Sequence, residues 1–143
     1  MSLIKSVIAK DTATWVAFPD LEGFEVKIHY VTREDLLKIR NASLIKKFDK
    51  ATRKQVEEID NDRFVENYAK RAIAEWKGLK LGYLPQLLPV DLTGQDLESS
   101  VPFSEEEALE LLKNSPVFDQ FISETLADLE SFSVNQKQAD SKN

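Results

Sequence analysis

The chain has 143 residues, 42% of them apolar and 31% charged, with a net charge of −6; that length and balance suit one domain with a real core and exclude a compositionally disordered chain. It contains no cysteine, so neither a disulfide framework nor a thiolate metal site can form. No apolar run approaches the roughly 20 residues that span a bilayer, so no membrane association is expected.

The charge is unevenly spread. Residues 33–80 hold 13 Lys and Arg against 9 Asp and Glu, whereas residues 81–143 hold 3 against 12. An acidic end repels a phosphate backbone, which argues against nucleic-acid binding. Lys46, Lys47, Arg53 and Lys54 alternate with Asp49, Glu57 and Glu58, as on a solvated helical face or a partner of the acidic half.

Residues 1–12 carry Lys5 and Lys10 among short apolar pieces, too short and too charged for a signal peptide. From residue 14 to residue 30 the hydrophobic period is two. Trp15, Ala17 and Pro19 alternate with Val16 and Phe18, and beyond the turn residues 20–23 the run Phe24, Val26, Ile28, Tyr30 alternates with Glu25, Lys27 and His29. This predicts a β-hairpin whose wet face carries Glu25, Lys27 and His29.

At Thr32 the pattern changes. Thr32 and Asp35 fit a capping box, and Leu37, Leu44, Ile45 and Phe48 follow as apolar positions of a helix that Asn41 and Ser43 weaken. Over residues 60–77 the series Phe64, Tyr68, Ala72, Trp76 and Val65, Ala69, Ile73 predict a long amphipathic helix on the core, ended by Gly78 as a left-handed cap. Residues 79–101 are leucine-rich but broken by Gly82, Pro85, Pro89 and Gly94, which reads as a buried loop or a binding loop. Two more helices are predicted: one capped by Ser104 with Glu107 and buried through Ala108, Leu109, Leu111 and Leu112, the next opened by Ser115 and Pro116. In the latter Phe118, Phe121, Ile122, Leu126, Leu129 and Phe132 recur at three and four. A flexible polar tail over residues 133–143 follows a single domain over residues 1–132.

The expected fold class is therefore α+β, mainly helical, with the N-terminal hairpin packed against about four or five helices. Catalytic equipment is sparse. One histidine, no cysteine and four glycines outside any phosphate-binding motif point to no enzyme, no cofactor and no metal site. Glu105, Glu106 and Glu107 diverge around a helix and suit its N-terminal dipole better than an ion. A surplus of apolar helical surface points instead to a protein partner, through Leu84, Leu87 and Leu88 of the loop and Phe118, Phe121, Ile122, Leu126 and Leu129 of the last helix.

Three stretches, FEVKIHYVTREDLLKI (residues 24–39), AIAEWKGL (residues 72–79) and VPFSEEEALELLKNSPVFDQFISETLADLESF (residues 101–132), carry a resemblance to the tail assembly chaperones of long-tailed bacteriophages or a prophage. It covers residues 14–132, and the leucine-rich stretch over residues 79–97 departs from the family's pattern. The resemblance implies a non-catalytic oligomer in the host bacterial cytoplasm, absent from the mature virion. Its task would be to keep the tape measure protein soluble before the tail tube polymerises, with tail tube protein recruited through a frameshifted extension. The alternative is a structural tail or head-completion subunit, which would bury the same faces in the virion.

Overall fold

A computed structural model describes residues 2–4 and 13–141, with side chains described through Leu129. The reading of residues 1–12 as no signal peptide falls almost wholly outside these, and the expected tail over residues 133–143 lies outside the residues whose side chains are described.

Strands β1 (Ala13–Ala17) and β2 (Glu25–His29) form the predicted antiparallel hairpin, with Val16 opposite Val26 and Trp15 opposite Lys27. Val26 and Ile28 are buried while Glu25, Lys27 and His29 lie on the outer face, because successive side chains of a strand point to opposite sides. Helix α1 (Arg33–Ala42) starts at the Thr32 capping box, where Thr32 Oγ1 accepts from the Asp35 N–H and Asp35 Oδ2 from the Thr32 N–H, each at 3.0 Å. Its buried residue is Ile39; Leu37, an expected inner position, is exposed.

The chain then departs from a mainly helical plan. Leu44 opens a second hairpin, β3 (Leu44–Asp49) and β4 (Lys54–Ile59), where the apolar spacing had suggested continued helix. Ser43 explains the change. Its hydroxyl turns back to donate to the Ile39 carbonyl at 2.6 Å, its carbonyl accepts from the Asp60 N–H at 2.9 Å, and Asn67 Nδ2 donates to its Oγ at 3.2 Å. These bonds close the hairpin's base against α2 (Asn61–Ala72), which Asp60 caps through the N–H groups of Asp62 and Arg63. The Arg71–Asp35 ion pair, 2.9 Å long, ties α2 to α1.

A second departure follows at Ile73. The helix expected to reach residue 77 ends at Ala72, and β5 (Ile73–Lys77) pairs antiparallel with the free edge of β2, Trp76 opposite Val26 and Ile73 opposite Ile28. The register slips between Lys27 and Ile28. Such a bulge places one extra residue on β5, so Ile73 and Trp76, three apart, both face the core and imitate helical spacing. Gly78, with φ +76°, is no helix cap but a close crossing: a Cβ there would overlap the Gly23 carbonyl.

Residues 79–101 fold back on themselves. A 3-10 helix (Leu81–Gln86) opens the loop, and the N–H groups of Leu81, Gly82 and Val101 bond to Ser99, Leu97 and Leu79. Tyr83 Oη donates to the Glu22 carbonyl at 2.6 Å, fastening the loop to the first hairpin. Helix α3 (Glu105–Asn114) starts where Ser104 Oγ accepts from the Glu107 N–H at 3.0 Å. Helix α4 (Pro116–Ser141) starts at buried Ser115, whose Oγ accepts from the Phe118 N–H at 3.0 Å and donates to the Leu87 carbonyl at 2.6 Å.

One core joins these parts. Phe18, Phe24, Trp76 and Phe118 sit between the sheet β1-β2-β5 and the helices, with Trp76 edge-on to Phe24, Phe103 and Phe118 at 5.2 to 6.4 Å. The expectation of a mainly helical chain is thus corrected: among the described residues five strands in two antiparallel sheets stand beside the helices, and the fold is α+β without helical dominance. Open strand edges and a bulge set this, neither of which a hydrophobic period reports.

Candidate partner-binding surfaces

Among the described residues no three His, Asp or Glu side chains gather closely enough to hold a metal ion. Likewise, no helix among them is long and apolar enough to cross a membrane. The surface presents apolar grooves instead.

The first lies between the leucine-rich loop and α3 and encloses about 180 Å³. Its floor is Trp76, Leu79 and Leu111, its walls Leu84, Leu88 and Val101, and its rim Glu107, Glu110 and Asn114. Trp76 is held in place by an Nε1–H bond of 2.9 Å to the Val101 carbonyl. The 3-10 turn around Pro85 then sends Leu84 and Leu88 to the wall while Leu87 enters the core. An apolar trough with a carboxylate rim binds apolar side chains and favours a flanking positive charge.

The second groove, about 400 Å³, is bounded by α2, α3 and α4. Phe64 and Tyr68 are nearly parallel, 10° between planes with centroids 6.4 Å apart, and Val65 and Leu112 complete the apolar wall. Lys113, Asp119 and Ser123 stand at its edge. Burial, and secondarily the Asp119 carboxylate, push the Tyr68 phenol above its ordinary pKa, so it stays a neutral hydrogen-bond donor.

Of the residues assigned to partner contact from the sequence, the structure splits the set. Phe118 and Ile122 are fully buried and Leu87 nearly so, which leaves them no surface for another chain in this conformation. Phe121, Leu126 and Leu129 are half-buried against the core, and Leu84 and Leu88 line the first groove. Sequence reasoning missed Phe64, Val65 and Tyr68, which it gave wholly to the core. The signal available was width: the apolar stripe of α2 is broader than the buried pair Ala69 and Ala72 requires.

Fold and surface together define an α+β protein whose surface carries two apolar grooves. Residues 28–143 match the family of YdaY prophage proteins, and the chain belongs to that family. It is a prophage-derived protein. The matched span takes in the second hairpin, both grooves and α4. No curated protein and no solved structure matches the chain.

Proposed function

We propose that this prophage protein is a tail assembly chaperone that binds the tape measure protein and keeps it soluble before the tail tube polymerises, without catalysing a reaction. The observation that carries the reading is the first groove, an open apolar trough walled by Leu84 and Leu88 and rimmed by Glu107 and Glu110. A tape measure chain is long and helical and exposes apolar faces until the tube encloses it. An amphipathic helix laid in such a groove buries its anchors at i, i+3 and i+4. Prophage membership supports this reading, as does the resemblance in the three stretches described above.

The protein would act in the host cytoplasm, self-associate to cover a long partner, and reach tail tube protein through a frameshifted extension. Co-expression with the tape measure protein of the same prophage tests it. The expected result is a soluble complex where the tape measure alone is insoluble; no gain in solubility sinks the reading. Mass spectrometry of purified particles checks that the chaperone is absent from the finished virion, since a stoichiometric virion subunit would make the chain a structural tail or head-completion component.

A further inference from the structure

The groove between the leucine-rich loop and α3 is one-sided in its chemistry. Its floor offers a partner no hydrogen bond, because the Trp76 Nε1–H, the floor's only polar side-chain group, is already given to the Val101 carbonyl. Leu84 and Leu88 on the loop make an aliphatic wall. What remains is the α3 rim. Glu107 and Glu110 are exposed and three residues apart, so both stand on the groove side of the helix. Asn114, the third rim residue, donates from Nδ2 to the Glu110 carboxylate at 3.1 Å and to the Glu110 carbonyl at 2.8 Å, which holds that carboxylate at the rim. Neither glutamate forms an ion pair among the described residues. The basic residues next to the floor in sequence are engaged elsewhere: Lys77 pairs with Glu25 at 3.2 Å and Lys80 with Glu98 at 2.9 Å. Over residues 81–129 Lys113 stands alone against ten Asp and Glu, and it borders the other groove, so no cation of the loop or α3 neutralises the rim.

We infer that this groove selects an amphipathic helix whose apolar anchors are flanked by Lys or Arg about one turn apart, and rejects a helix with an acidic flank. The inference rests on the helix-in-groove reading above and names the chemistry of the helix. The size of the groove suits a side-chain anchor: at about 180 Å³ it is smaller than the roughly 300 to 1,000 Å³ of sites that hold a free small molecule. The rim supplies the sign. An apolar helix laid beside α3 partly dries two carboxylates, which costs free energy unless donors or cations arrive with it. A flanking Lys or Arg pair supplies them, while Glu at the same positions adds repulsion.

Two synthetic peptides test this on the full chain. Each is an alanine-based helix of about 18 residues, long enough to form in water, with leucines at i, i+3, i+4 and i+7. One carries a Lys pair one turn apart beside the leucines, the other Glu at the same places. By fluorescence anisotropy at low salt the Lys peptide should bind about tenfold more tightly than the Glu peptide, and the gap should close as ionic strength rises. Glu107→Gln combined with Glu110→Gln should leave the chain folded and bind the two peptides alike. Glu105→Gln combined with Glu106→Gln, exposed on the same helix but outside the groove, should keep the preference; this control separates the rim from the charge of the whole chain. Equal binding of both peptides by the wild type overturns the inference, as does a preference that survives the rim pair or is lost with the control pair. Those results leave solubilisation of the tape measure protein untouched, so the chaperone reading stands or falls separately. A wild type that binds neither peptide removes the groove as a helix site, and this inference with it.

Discussion

Ser43 and Ser115 are fully buried, and each joins two segments through a hydroxyl that both donates and accepts. At Ser43 the hydroxyl bonds to Ile39 and Asn67; at Ser115 it bonds to Leu87 and the Phe118 N–H. Replacing either with alanine removes a cap or latch and strands a buried polar partner, so each substitution should cost about 2 kcal/mol, read from urea unfolding. Gly78→Ala should cost more, about 3 kcal/mol, since it combines a left-handed backbone with overlap onto the Gly23 carbonyl. Asp35 gives a pH dependence. Burial alone would raise its carboxyl pKa, but the Thr32 N–H, the Arg71 guanidinium and the Thr32 hydroxyl together hold it below the ordinary value. Stability from this group is therefore present above about pH 4, the unfolded value, and is lost as pH falls through the lower folded value. Asp35→Asn should flatten the acid limb of a melting temperature against pH curve.

At the scale of elements, the caps were legible because they are local. Thr32 with Asp35, Ser104 with Glu107, and Ser115 with Pro116 opened the helices they were expected to open. The strands after Ser43 and Ala72 were not legible. In β5, Ile73 and Trp76 are three apart around a bulge; in β3, Leu44, Ile45 and Phe48 are spaced as on a helix. What decided both was a partner distant or later in the chain, β2 in one case and β4 in the other. The β3–β4 hairpin also differs from the body in protection. Because it shares few buried contacts with the rest, amide exchange in β3 and β4 should run faster than in β2, which lies between β1 and β5. Equal protection in the two hairpins, measured by hydrogen exchange at low protein concentration, would contradict that.

Apart from the β3–β4 hairpin, the molecule is held by a cluster that takes residues from β2, β5 and both C-terminal helices: Val26, Trp76, Leu111 and Phe118 are all buried in it. We expect one cooperative transition in denaturant, with far-UV and near-UV signals coincident. Separate transitions for sheet and helices would show that the cluster is not shared. The same cluster explains why two of the five contact residues expected from the last helix, Phe118 and Ile122, lie wholly inside the core. The periodicity of Phe118, Phe121, Ile122, Leu126 and Leu129 states that one side of α4 is apolar; it cannot state whether that side meets its own sheet or another chain.

By itself the sequence determined the local and the statistical: the first hairpin with its wet face, the helix caps and the acidic C-terminal half. These depend on neighbours within a few residues or on composition. Tertiary structure alone decided which apolar residues are core and which are surface, that Gly78 serves a chain crossing, and that residues 44–59 form a second, exposed hairpin. Burial and strand pairing depend on distant residues, and a period along the chain carries no record of what lies opposite.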